Sequence, residues 1–302
     1  MTFGTRKEYE YFLCHRCKSL SIREGFEALN NLYENYPHLC AKLTSPTFLE
    51  KILLKFLFSK NRYLSMFGYN LSNSYRLLAC KSLYPSFLDK SKKILDVGCG
   101  NGSFVSDLLS SGFNDVRGVD PNLADNSCNK KLNLTRKSIF QISGVYDLVI
   151  FNHSFEHMDN LSSICKRVEE LLSPGGICIV RIPNVDSLSF RLFRENWEGI
   201  HAPFHIVLPS RKAIKKLFLD ANLEHIEERS EQPYQLFFYS LNRLMNIADF
   251  EKFGAKRFFM ENCRKRTPPL FTRRESKFLK IQAKKLKWLQ ISDYTVHYFK
   301  KC

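Results

Sequence analysis

The spacing of three glycines constrains this chain more than any other feature of it. Gly98, Gly100 and Gly102 interrupt an apolar sequence: Ile94, Leu95 and Val97 precede them, and Phe104, Val105, Leu108 and Leu109 follow at helical spacing as far as Gly112. The first run suits a buried parallel strand and the second an amphipathic helix, so the segment predicts strand, glycine turn, helix. At such a turn glycine lets the backbone approach a ligand closely, and the helix start beyond it offers N–H groups with no intrahelical acceptor. The loop is therefore predicted to hold a ligand. A dinucleotide fingerprint would need a third glycine at position 103, where Ser103 stands.

What remains, D-x-G-x-G-x-G from Asp96 to Gly102, resembles the cofactor loop of class I S-adenosylmethionine-dependent methyltransferases. Further matches follow in that family's order. A second strand, Val116 to Val119, ends in Asp120, an acid placed to accept hydrogen bonds from ribose hydroxyls. A fourth, Tyr146-Asp147-Leu148-Val149-Ile150-Phe151, runs into Asn152-His153-Ser154-Phe155-Glu156-His157-Met158, and Ser173-Pro174-Gly175-Gly176 turns into Ile177 to Val180. The resemblance implies S-adenosylmethionine as cofactor, bound by Asp96, Gly98, Gly100, Gly102, Asp120 and Asn152. It implies an α/β fold: a doubly wound, mostly parallel, Rossmann-like sheet whose last strand is antiparallel. The third strand has little apolar pattern, and Ser138, Ile139 and Phe140 are expected to form the adenine-facing edge.

The loop after the fourth strand carries neither the Asn/Asp-Pro-Pro-aromatic phrase of amino-directed nucleic-acid enzymes nor a Pro-Cys nucleophile. Its Phe155-Glu156-His157-Met158 resembles the Glu-His pair of ubiquinone-biosynthesis and of sugar- or antigen-biosynthesis O-methyltransferases. A later series, Arg181-Ile182-Pro183-Asn184, Arg191, Trp197 and His201-Ala202-Pro203-Phe204-His205, resembles the sugar and antigen group. These likenesses imply methyl transfer to a hydroxyl, on an acceptor such as a sugar linked to a lipid or nucleotide. His157 and His205 are the candidate proton acceptors; the alternative for each is a histidine that orients a loop. The ubiquinone group has a metal-binding Glu where His153 stands, so no metal ligands are assigned. The rival readings are an RNA methyltransferase and a catalytically silent cofactor-binding subunit.

At 302 residues, with 44% hydrophobic and 25% charged residues, the chain suits one main domain with additions. Residues 1–90 are expected to form a mainly helical cap, with Phe48, Ile52, Leu53, Phe56 and Leu57 packed on the main domain. Within them Cys14-His15-Arg16-Cys17 resembles the second half of a zinc ribbon whose first half is missing. Residues 91–230 form the expected core. Its best helix stripe is Leu161, Ile164, Cys165, Val168, Leu171 and Leu172, and Ser210 is placed to cap a helix carrying Ala213, Ile214, Leu217 and Phe218. Residues 231–290 are expected to be a basic helical insertion or lid, and 291–302 the final strand, pairing near Leu223 to Arg229.

The net charge of +16 is uneven: residues 251–302 hold 15 Lys and Arg against 4 Asp and Glu. That asymmetry suggests an acidic partner, whether phospholipid headgroups or a diphosphate-linked substrate, with nucleic acid disfavoured by the fourth-strand loop. No apolar run approaches the ~20 residues of a membrane span. Scattered cysteines and a charged N-terminus lead to an expected cytoplasmic location, with peripheral contact to the inner face of a membrane through the basic region.

Overall fold

The computed structural model describes residues 9–24, 45–71, 75–83, 89–123, 132–232, 240, 281, 285 and 288–302. In chain order its elements are β1 (Tyr11–Leu13), β2 (Leu20–Ile22), α1 (Phe48–Leu57), α2 (Arg62–Leu71), α3 (Tyr75–Lys81), β3 (Lys93–Val97), α4 (Ser103–Ser110), β4 (Asp115–Val119), β5 (Leu134–Thr135) and β6 (Tyr146–Asn152). Then come α5 (Leu161–Leu171), β7 (Leu172–Pro183), α6 (Leu188–Phe193), β8 (Val207–Leu208), α7 (Arg211–Leu219), β9 (Leu223–Glu231) and β10 (Tyr294–Lys301). No helix among the described residues is long and apolar enough to cross a membrane.

The chain divides into two compact units: residues 1–29, 183–214 and 229–295, and residues 30–182, 215–228 and 296–302.

The larger unit carries a seven-stranded sheet in the order β5-β4-β3-β6-β7-β10-β9. The pairs β4–β5, β3–β4, β3–β6 and β6–β7 are parallel, and the last strand is antiparallel. Apolar runs make this sheet: Ile94, Leu95, Leu148, Val149, Cys178 and Ile179 are wholly buried, as parallel strands covered on both faces require. Helix α5 buries Leu161, Ile164, Cys165, Val168 and Leu171, the stripe expected from the sequence. Helix α7 is capped by Ser210, whose Oγ accepts from the Ala213 N–H at 3.2 Å, and it buries Ile214 and Phe218 completely. Sheet order reverses at β3, with β4 on one side and β6 on the other. The crevice at the carboxyl ends of β3 and β6 is where an open α/β sheet binds ligands.

Three regions differ from expectation. The third strand is the two-residue β5, stabilised by its pairing with Gly118 and Val119 rather than by an apolar run of its own. Ser138, Ile139 and Phe140 instead cap and begin a 3-10 turn, with Ile139 buried and Phe140 exposed. The leading segment is not helical throughout: residues 11–22 form an antiparallel hairpin, Tyr11 opposite Ile22 and Leu13 opposite Leu20. Finally, the helix over 48–57 departs from its expected stripe at one end only: Leu57 is buried and Ile52, Leu53 and Phe56 are half-buried, but Phe48 is not. Its fully buried residues are Leu54 and Leu57, while Phe48 is exposed.

The smaller unit holds the three-stranded sheet β1-β2-β8 and a core of Leu20, Val185, Phe190, Phe193, Trp197, Ile200 and Leu208. The wholly buried Trp197 donates from Nε1 to Asp293 Oδ1 at 3.1 Å.

Candidate active site

The three glycines of the loop after β3 all have positive φ, +73° at Gly98, +53° at Gly100 and +77° at Gly102, yet they serve different ends. A Cβ on Gly98 would come within 2.4 Å of Ser154 Cβ, and one on Gly102 within 2.5 Å of Leu134 Cδ1, so these two are demanded by packing. A Cβ on Gly100 would meet nothing within 4 Å. It faces open space, which is the cradle a bound ligand would fill. The loop is sewn to the sheet by the N–H groups of Gly98 and Cys99, which donate to Val119 O at 2.7 and 3.1 Å. Gly102 N-caps α4 without a side chain, and the Ser103 N–H at the start of that helix donates to Asn101 Oδ1 at 3.0 Å.

Two acids lie under this loop. Asp120, at the end of β4, accepts the Gly100 N–H on Oδ2 at 2.9 Å and the Asn122 N–H on Oδ1 at 2.8 Å. Asp96, within β3, is 2% exposed. Burial pushes its carboxyl up to about 8, and the Asp120 charge adds to the rise. Asp120 is raised as well, by burial, with the two N–H bonds pulling the other way. A buried and a half-buried carboxyl that disfavour their own charge suit a cationic ligand, and S-adenosylmethionine brings an ammonium and a sulfonium. The glycine cradle, the ribose-type acid and the charge of the site fit that cofactor.

The loop after β6 is joined to the first by Ser154, whose Oγ donates to Val97 O at 2.5 Å. Phe155, wholly buried, packs edge-on to Phe151 with centroids 5.3 Å apart and anchors the 3-10 turn Phe155–His157. That turn puts Glu156 in the interior at 0% exposure, with His153 Nδ1 3.3 Å from its Oε1. Burial lifts the Glu156 carboxyl to about 8 while the buried Arg181 guanidinium opposes the rise. Arg181 also donates from Nη1 to Asn152 Oδ1 at 3.1 Å, so the amide oxygen of the candidate cofactor ligand Asn152 is held by an arginine. Glu156 and Arg181 stand in motifs that carried the resemblance, but nothing in their spacing discloses that they meet inside the protein.

His157 is half-buried, and its backbone N–H donates to Ser154 O at 3.1 Å. His205 belongs to the smaller unit. It is 7% exposed, with Nδ1 2.7 Å from Gly199 O and its own backbone carbonyl accepting from Tyr11 Oη at 2.8 Å. A carbonyl can only accept, so Nδ1 is the donor in that bond. The role of Tyr11, 194 residues away, has no signal in the sequence.

Cys14 and Cys17 sit at the turn of the β1–β2 hairpin, where backbone and thiol contacts from Cys17 lower the Cys14 pKa, with Arg16 and Lys18 N–H groups adding to it. Among the described residues neither belongs to a group of three metal-ligating side chains. His225, Glu228 and His297 do form one, but Lys215 Nζ already holds the Glu228 carboxylate at 2.8 Å. The expected basic helix, Arg273 to Gln290, falls largely outside the described residues. Of its seven cations only Lys285 is described, and it is exposed.

A profile of the methyltransferase domain matches residues 72–228. Among curated proteins, the ubiquinone biosynthesis O-methyltransferase of Rickettsia bellii is 30% identical over 120 residues, covering 37% of this chain and 49% of that protein. The Rickettsia typhi protein of the same name is 29% identical over 102 residues, covering 30% of this chain and 41% of its own. The chain thus spans less than half the length of these relatives. Among solved structures, a SAM-dependent methyltransferase from Archaeoglobus fulgidus is 16% identical, covering 80% of this chain and all of its own, with a TM-score of 0.47.

Proposed function

The chain belongs to the methyltransferase-domain family, as a class I S-adenosylmethionine-dependent methyltransferase, and from that premise we propose that it methylates a hydroxyl on a small acceptor such as a sugar, carried on a lipid or nucleotide. The observation that carries this reading is the Phe155-Glu156-His157-Met158 turn, with its Glu-His pair in place of an amino-directed or cytosine-directed loop.

Bound S-adenosylmethionine supplies an electrophilic methyl group. The chain's own part is to hold the cofactor and dispose of a proton. The open face of Gly100 receives the cofactor, and the spare lone pairs of Asp120 accept ribose hydroxyls. A hydroxyl acceptor that received the methyl group would have to release its proton, and an imidazole could take it. The candidates for that role are His157, in the turn after β6, and His205, whose Nδ1 lies 2.7 Å from Gly199 O. Arg181 and Glu156 are positioning residues behind Asn152 and the turn that carries His157. Peripheral contact with an anionic surface through the basic region after residue 250 is part of the same proposal, supported by charge alone.

Transfer of tritiated methyl from S-adenosylmethionine into fractionated cell extract tests the acceptor. Label in sugar or glycolipid fractions, strongly reduced with the His157→Ala or the His205→Ala protein, is the expected result. Label confined to RNA would replace the proposal with the nucleic-acid reading, and no label with intact cofactor binding would favour a silent subunit.

A further inference from the structure

Helix α2 is turned the wrong way round for a water-facing helix. It buries only Ser65 and Gly68, while Tyr63 (80% exposed), Leu64 (42%), Met66 (51%), Phe67 (52%) and Leu71 (48%) face outward. An amphipathic helix on a soluble domain does the reverse. The cause is visible at Gly68: a Cβ there would lie 2.4 Å from Leu57 N and 2.8 Å from Phe56 C, so only a glycine permits this approach to α1. The small-residue face is locked against α1, and the apolar face must point away. Phe56 and Phe67 meet edge-on at 5.9 Å and tie the two helices together.

Helix α1 extends the surface with Phe48 (81% exposed) and Leu49 (65%). At about 200 Å² per aromatic side chain, the exposed fractions of Phe48, Tyr63 and Phe67 alone come to roughly 400 Å². That already matches the largest apolar patch on a typical monomer, before Leu49, Met66 and Leu71 are added. Exposed cations are interleaved with it: Lys51, Lys55, Lys60 and Arg62. The single acid of residues 45–71, Glu50, is engaged in the capping box, where its Oε2 accepts the Thr47 N–H at 2.9 Å. Phe48, Lys51, Ile52 and Lys55 also line a groove of about 300 Å³ with Ser110.

We propose that the outward faces of α1 and α2 form a docking surface for an anionic lipid bilayer, with Phe48, Tyr63, Met66 and Phe67 entering the headgroup region and Lys51, Lys55, Lys60 and Arg62 contacting acidic headgroups. Charge selects this occupant. Protein–protein interface cores are depleted of lysine, and a two-fold contact between copies would bring four cations of each against the other. A bilayer surface accepts both classes together, the rings at the headgroup level and the lysines reaching up to phosphate. The surface is separate in sequence from the basic region after residue 250 and does not depend on which acceptor is methylated.

Vesicle flotation of the full chain tests it, using phosphatidylcholine vesicles with and without phosphatidylglycerol. Wild type should float with the anionic vesicles only. The double variants Tyr63→Ser/Phe67→Ser and Lys51→Glu/Lys55→Glu should each lower the bound fraction at least about tenfold, given the worth of each cation at an anionic surface. Both should keep wild-type calorimetric affinity for S-adenosylmethionine, which certifies the fold. Absence of wild-type flotation overturns the proposal. So does flotation that survives both variants and is lost with Lys284→Glu/Lys285→Glu/Lys287→Glu. A dimer in sedimentation that Tyr63→Ser/Phe67→Ser splits, without vesicle binding, would assign the surface to a second copy instead.

Discussion

The loops after β3 and β6 lie side by side at the sheet's carboxyl ends, joined through Ser154 and Val97, but they are built in opposite ways. The first is made of backbone: three glycines with positive φ, amides bonded to Val119 O, and an amide from Gly100 on Asp120. The second is made of side chains: Phe155 against Phe151, Glu156 beside His153, and Arg181 on Asn152. A backbone-built site needs particular residue types at fixed spacing. A side-chain-built site needs partners that only the folded chain supplies.

The largest expected effect separates proton transfer from cofactor binding. Alanine at the proton acceptor, His157 or His205, should lower turnover by about 10² to 10⁴-fold, the usual worth of a general base, while cofactor affinity changes little. Initial-rate kinetics with calorimetric cofactor binding check it. If His157→Ala gives the large loss and His205→Ala does not, the base is His157 and the Gly199 bond of His205 is structural.

Next in size is Gly100→Val. The side chain would enter space that is open in the protein, so cofactor affinity should fall at least about 100-fold. Stability should fall only as much as the strained φ of +53° requires, about 1–2 kcal/mol. Retained affinity in a folded Gly100→Val protein would remove the cofactor from this loop.

The same contrast explains how much the amino-acid sequence discloses by itself. The glycine turn, α4 and α5 are legible there because each rests on local periodicity or on a φ that few residues tolerate. Strand β5 is not, since two residues carry no period and its place depends on Gly118 and Val119. The face that α2 buries is hidden for a related reason: apolar residues alone do not show that Gly68 decides which way the helix points. The Glu-His pair is visible as a motif, yet the burial of Glu156 against His153 and Arg181 depends on residues brought in from β7.

A pH prediction follows from the acids of both loops. Asp96 and Glu156 are each raised to about 8, and Asp120 is raised in the same direction. The folded state therefore holds protons that the unfolded chain has released, and stability falls as pH rises from about 4, the unfolded value of Asp96, through about 8. Thermal midpoints of the ligand-free protein should decline across that window. Asp96→Asn should shallow the decline, and saturating S-adenosylmethionine should shallow it too, because its positive charges favour the ionised acids. A midpoint that rises with pH in the ligand-free protein would contradict burial as the dominant influence on these groups.

The smallest expected effect tests whether the loops act as one. Gly98→Ala places a Cβ 2.4 Å from Ser154 Cβ at a φ of +73°, and should cost about 2–4 kcal/mol from strain and overpacking together. Ser154→Gly alone should cost about 1–2 kcal/mol, through the lost Oγ bond to Val97 O and the freer backbone. Removing the Ser154 Cβ also removes the atom with which a new methyl at position 98 collides. The double variant should therefore be more stable than the two single losses predict, by about 1 kcal/mol, measured as a coupling energy in denaturant unfolding. Strict additivity would mean that the backbone-built loop relaxes away from Ser154 without help, and that the two halves of the crevice are independent.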